Sequence, residues 1–322
     1  MRTLRSVLTF SLLVSSLASA CLWNSETVVT ETIPFPTVLE LVSGNFPRHG
    51  QDYYRWVVQK RRRLISHPQH INPPDYDELA WALDKLGKPD SAVAVMLRKR
   101  KAFPNSYETM ANLGTFLFHS GKLAEGLPYI DSALQMNPDA HFGREIYQRY
   151  LVEYFLLKNK ALPMDTQTVA DSLEKGFAAF VAEKSNVQQL SQDARAKAVK
   201  GVLGMMRFGD HTSPVLLEAL ADLMRLGPEH DSLFRGALGY LQASRRSKGE
   251  ASKAYRKLLK ETEPQNLSKL ERMLSRHQLY GDARFAKIVE AERAWIQRGV
   301  AVDSAYRVNF LVRKVKRRGR GS

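Results

Sequence analysis

Residues 111–138 read ANLGTFLFHSGKLAEGLPYIDSALQMNP, and their spacing decides the fold class. Met110, just upstream, is followed by Leu113, Phe116 and Leu117, the i, i+3, i+6, i+7 pattern of one helical face. Gly121 breaks that helix, since glycine enters the left-handed turn that ends helices at no steric cost. A second run places Leu123, Leu127, Ile130, Ala133 and Leu134 on one side. Pro138 and Asp139 punctuate its end, and Asp139 is placed to cap a helix beginning at His141. The segment therefore reads as a helical hairpin. Gly114 and Gly126 let its two backbones approach where a larger side chain would wedge them apart. Pro128 removes one backbone hydrogen bond at a cost of up to ~3 kcal/mol, so a bend is expected there.

The same hairpin stands 34 residues upstream, where Leu79, Leu83, Gly87 and Pro104 match Leu113, Leu117, Gly121 and Pro138. Ala80 takes the place of Gly114, and Ala92 that of Gly126. Lys99 stands opposite Ala133, a departure from the small-residue pattern. A two-helix unit of this period resembles the tetratricopeptide repeat (TPR) family. The resemblance is carried by Leu113, Gly114, Leu117, Gly126, Ala133 and Pro138, and is clearest over 73–138. It implies an all-α, TPR-like solenoid of helical hairpins with a concave groove for an extended peptide or a partner helix. Carried onto matching positions, that groove would be lined by Asp77, Trp81, Lys85, Glu108, Asn112, Thr115, His119, Glu145 and Arg149, with Trp81 either its apolar anchor or packed within the solenoid. Asp77 and Trp81 occupy two of the places where some TPR domains carry the basic set that clamps a terminal carboxylate, so no such clamp is expected.

Working outward, the repeats extend over 37–161. TVLELVSGNF and DYYRWVVQKRRRLIS form a degenerate N-terminal pair, and HFGREIYQRYLVEYFLL opens a third unit. Residues 162–213 are helical without the period. A second group of hairpins occupies 214–299, the last of them LSKLERMLSRHQLYGDARFAKIVEAERAWIQRG with its turn expected at Tyr280-Gly281-Asp282. Within the final segment, 300–322, YRVNFLVRKV is the one stretch with strand character. The tail beyond it is basic and lacks acids.

The net charge is +15, from 48 Lys and Arg against 33 Asp and Glu. Such a balance favours anionic neighbours but does not set the fold. Arg2 and Arg5 precede an apolar run of about 14 residues, short of the ~20 a bilayer span needs, and Ala18-Ser19-Ala20 follows. Residues 1–20 read as a signal peptide and 21–36 as a linker. Cys21, the only cysteine, sits where a bacterial lipoprotein carries its lipid, although Ala18 replaces the usual Leu. Plain cleavage after Ala20, leaving a free cysteine, is the other reading. CLWNSETVVTE also resembles the mature start of exported bacterial TPR proteins. The expected location is the periplasm or a membrane anchor in a bacterial envelope; a Cys21 lipid and the basic tail offer attachment, and the tail reads equally as a solvated segment with no particular partner. Nucleic acid is not expected as a partner.

No catalytic constellation emerges. His67-Pro68-Gln69-His70 has two histidines, but the proline and the lack of a neighbouring acid or cysteine argue against a metal site. Met205, Met206, Met224 and Met273 read as core filler. Lys60-Arg61-Arg62-Arg63 reads as a solvated face, and Arg98-Lys99-Arg100-Lys101 as cations complementing a helix C-terminus. No cofactor, metal or small-molecule substrate is implied. The reading is a non-enzymatic interaction scaffold with a protein or peptide partner. The alternative is an envelope enzyme or anionic-polymer-binding protein with its site in 162–322, which a polar pocket with convergent ionisable groups would favour.

Overall fold

The computed structural model describes residues 35–67, 72–140, 143–159, 161, 167–227, 232–262 and 266–311. Residues 1–20 (which read as a signal peptide), Cys21 and the tail from residue 312 lie outside them. The fold is all-α, with 15 α-helices and no strand among the described residues. The first four are α1 (Val38–Ser43), α2 (Gln51–Ser66), α3 (Pro73–Lys85) and α4 (Pro89–Ala102). Then come α5 (Tyr107–His119), α6 (Leu123–Met136), α7 (Arg144–Lys158), α8 (Gln167–Lys175) and α9 (Phe177–Lys184). The remainder are α10 (Gln192–Met205), α11 (Pro214–Arg225), α12 (Ser232–Arg246), α13 (Gly249–Thr262), α14 (Leu267–Gln297) and α15 (Val302–Tyr306). No helix among the described residues is long and apolar enough to cross a membrane.

The two hairpins read from sequence share one set of boundaries. Pro73 and Lys85 of α3 correspond to Tyr107 and His119 of α5, and Pro89 and Ala102 of α4 to Leu123 and Met136 of α6, every offset being 34 residues. Their turns are the same as well. Gly87 and Gly121 are left-handed, with φ of +71° and +82°. After each glycine, the N–H of Lys88 or Lys122 donates back to Leu83 O or Leu117 O at 3.0 and 2.9 Å. That is a Schellman C-cap, satisfying carbonyls the helix end would otherwise leave open.

Within the second hairpin the small residues act as expected. A Cβ on Gly126 would sit 2.6 Å from the Phe118 ring and 2.8 Å from Gly114 O. α6 runs unbroken through Pro128. Leu79, Leu83, Leu113 and Leu117 share one apolar cluster with Trp81, Phe116 and residues of α2 and α4. Burial of such side chains stabilises the fold by about 1.5–3 kcal/mol each.

α7 begins at Arg144 behind a left-handed Gly143, so Asp139 is not its cap. α7, α9, α10, α11 and α12 build a second, larger cluster in which Met205 and Met206 are fully buried. α11 and α12 approach closely. A Cβ on Gly239 would lie 2.8 Å from Leu217 O.

The C-terminal region departs from expectation. α14 is one continuous helix of 31 residues, with no turn at Tyr280-Gly281-Asp282. Gly281 serves a close approach instead: a Cβ there would lie 2.9 Å from backbone atoms of Gly44 and Asn45, at the end of α1. A tight backbone contact inside a helix and a turn both call for glycine, and the sequence does not separate them. At roughly 1.5 Å per residue, α14 is a strut about 46 Å long. Its N-terminal half joins the larger cluster through Leu270 and Leu274, and its C-terminal half the smaller through Trp295 and Ile296. YRVNFLVRKV is not a strand over its described part; α15 leads into a π-helical turn, Arg307–Leu311.

Candidate functional site

Seven of the nine residues assigned to the groove are joined by bonds within and between neighbouring helices. Asp77 of α3 accepts two hydrogen bonds from Lys99 Nζ, at 2.6 and 2.8 Å, and one from Asn112 Nδ2 of α5 at 3.0 Å. Asp84 Oδ1 and His119 Nδ1 pair at 2.6 Å across the same two helices. Further along, Gln148 of α7 donates to Thr115 Oγ1 at 3.2 Å, and Tyr107 OH to Glu145 Oε1 at 2.7 Å. Glu108 accepts from Ser106 Oγ, and Arg149 bonds Asp131 and Glu153. Asp77, Trp81, Asn112, Thr115, His119 and Glu145 are all buried; Lys85, Glu108 and Arg149 are half-buried. Apart from the Glu108–Ser106 and Arg149–Glu153 bonds, which lie within one helix and its cap, these contacts bind one helix to the next. Burial pushes the Asp77 carboxyl up to about 6, against the opposing pull of Lys99 and Asn112.

Trp81 and Lys85 lead to a cavity. Trp81, 4% exposed, meets Tyr54 edge-on at 5.1 Å between ring centroids. Lys85 Nζ reaches across to the carbonyl oxygens of Phe208 and Gly209, at 2.6 and 2.8 Å. Those carbonyls belong to a π-helical turn, Met206–Asp210, that follows α10 and breaks helical geometry at Gly209. Between α3, this turn and the loop before α2 lies a space of about 230 Å³, lined by Phe46, Arg48, Gln51, Phe208, Asp210 and His211 among others.

The walls are held from outside. Glu292 of α14 pairs with His49 and accepts from Gly50 N at 2.9 Å. The His49 ring is stacked on Tyr53 at 3.7 Å, with Tyr306 at 3.9 Å on its other side. Arg48 lies 4.1 Å from the Phe285 ring centroid, and Arg207 4.9 Å from that of Phe35. The cavity is electropositive. Its lining carries Arg48, Lys85 and Arg207 against one acid, Asp210, whose carboxylate is engaged by Thr212 N and Oγ1 at 2.8 and 2.6 Å. Burial and the charges of Arg48, Arg246 and Lys85 hold the His211 imidazole down at about 4, against Asp210, so the ring is neutral near pH 7.

No family model, curated protein or solved structure matches the chain.

Larger cavities lie elsewhere. One of about 430 Å³ is lined by Tyr154, Lys158, Glu218, Asp222 and Arg225 with a wall of leucines. Lys158 and Tyr255 both bond Glu218, at 2.6 and 2.7 Å. Asp222 accepts from Phe177 N at 2.7 Å and from Tyr240 OH, and thereby holds the start of α9. Burial, then the neighbouring Glu218 charge, push the Asp222 carboxyl up to about 6. The other, about 710 Å³, is mostly apolar, with Val199, Leu203, Phe234, Leu238 and Met273 in its walls. Among the described residues no group of three or more His, Cys, Asp or Glu converges as a metal site.

The sequence reading missed Arg48, Arg207 and His211, which meet Trp81 and Lys85 only through tertiary structure. It also read Lys99 as one of four cations complementing a helix C-terminus, whereas Lys99 is 1% exposed and turned inward to Asp77. A cation at a small-residue position, with an acid on the preceding helix, was the available signal.

Proposed function

We propose that the protein is a non-enzymatic interaction scaffold built as a TPR-like solenoid, exported to a bacterial envelope. The observation supporting the architecture is the 34-residue recurrence of helix boundaries and Schellman turns between Pro73–Ala102 and Tyr107–Met136. A partner peptide or helix docks at the cavity between α3 and the Met206–Asp210 turn. The polar face of α5 and α7 is consumed by helix-to-helix bonds, so the docking surface is narrower than a full solenoid groove. Its cations suit a segment carrying an acidic side chain.

Peptide display on the purified chain tests this, with Arg207→Glu and Gln51→Glu as variants. The expected result is enrichment of acidic peptides that both variants lose while their melting temperatures hold. Retention of the same peptides by both variants would count against the site.

A second reading is carried by the 430 Å³ cavity, where ionisable groups do converge. An enzyme or anionic-polymer binder would use Lys158, Glu218 and Asp222 there. The internal bonds of both carboxylates favour a structural role for them, so this reading stands behind the scaffold. Turnover of ester or glycoside substrates that Glu218→Gln abolishes would reverse the order.

A further inference from the structure

We propose that the outer face of α14 is a docking surface for an anionic phospholipid membrane. The helix is amphipathic in an unusual way. Leu270, Leu274, Gly281, Ile288 and Glu292 turn inward and are buried. The opposite stripe carries Lys269, Arg272, Arg276 and Lys287, all exposed, at the spacing of one helical face. No acid lies on that stripe between Lys269 and Lys287. Glu271 and Asp282 point roughly a third of a turn away, and Glu290 marks its end. Arg245 of α12 adds another exposed cation, bonding Ser275 Oγ and Gln278 Oε1 at 3.4 and 3.3 Å.

In the middle of this cationic stripe stand Leu279 and Tyr280, 71% and 53% exposed. Leu279 is the most exposed large hydrophobic side chain among the described residues. Arg276 Nε donates to Tyr280 OH at 3.2 Å, which keeps ring and guanidinium together at the surface.

The pairing of features selects the partner. Cations alone would suit any polyanion. A protruding leucine beside a tyrosine, ringed by arginine and lysine, matches the layered chemistry of a membrane interface. Lipid phosphates meet the cations, the tyrosine sits at headgroup level and the leucine enters the acyl boundary. A nucleic-acid backbone offers the leucine nothing. The face lies on a helix anchored to both apolar clusters, so it is presented by a rigid support. This inference does not depend on the peptide site, which is on other elements.

Sedimentation with vesicles tests it. The full chain carrying Cys21→Ser, so that no acyl group contributes, is mixed with phosphatidylcholine vesicles with or without phosphatidylglycerol. Binding is expected only to the anionic vesicles. Arg272→Glu with Arg276→Glu should weaken it by about tenfold or more. Leu279→Ser with Tyr280→Ser, which leaves every charge in place, should weaken it about three- to tenfold. All four positions are exposed, and circular dichroism verifies that both variants fold. Wild-type binding by both variants overturns the proposal. So does a charge-reversal loss that duplex DNA reproduces while the serine variant binds vesicles normally, since the face would then be a general polyanion site.

Discussion

Lys99 Nζ lies 2.6 Å from Asp77 Oδ2, and both side chains are almost fully buried between the first hairpin and α5. The second hairpin has Ala133 at the position of Lys99. Restoring the small residue in the first should therefore not be benign. Lys99→Ala leaves a buried carboxylate without its cation, at a cost of about 3–5 kcal/mol. Lys99→Met with Asp77→Leu should recover much of that loss. Urea denaturation of the single and double variants measures the coupling; additive losses would show that the pair is not held as described.

Gly281 tests the strut. A methyl group at this position would meet the backbone of Gly44 and Asn45, which cannot swing aside as a flexible side chain can. Gly281→Ala should destabilise the protein by about 1–3 kcal/mol even though alanine is the better helix former. Hydrogen exchange should rise in α1 and in the loop 44–50, where α14 packs, and stay unchanged in α5 and α6. A thermally stabilised variant would mean that α14 does not bear on α1.

Two titrations run in opposite directions. His211 is held down at about 4, below its ordinary 6.5, so the folded chain resists protonating it. Its stabilising contribution is complete above 6.5 and is lost as pH falls through about 4. The His211 ring resonances in an NMR titration should stay at their neutral position down to about pH 5. Titration near 6.5 would place the ring in solvent and remove the electropositive cavity.

Asp222 has the reverse sign. Its folded value of about 6 lies above the unfolded 3.8, so its contribution is complete below pH 3.8 and declines as pH rises through about 6. Relative to Asp222→Asn, the wild type should lose on the order of 2 kcal/mol between pH 4 and 7. Parallel stability curves for the two proteins would contradict the buried, raised carboxyl.

The helices were legible because their signals are local. Leucines at helical spacing, and Gly87 and Gly121 at the turns, fix where α3 to α6 begin and end. The reading failed where one residue serves two physical purposes. Gly281 next to Tyr280 and Asp282 has the composition of a turn, yet its lack of a Cβ is used for a backbone contact with α1, over 230 residues away in sequence. The site was less legible than the fold. Trp81 and Lys85 follow from repeat position, but Arg48 and His211 have no periodic relation to them. Asp77, Asn112 and His119 have the polarity of groove residues and the burial of core residues. Only their partners distinguish the two.

The most direct measurement is site-specific photo-crosslinking in cells that make the protein, with a benzophenone side chain at Gln51, on the edge of the α3 cavity, or at Lys175, on the rim of the carboxylate cavity. The expected result is a discrete protein adduct from Gln51 that Arg207→Glu removes, with none from Lys175. A discrete adduct from Lys175 alone would contradict docking at α3.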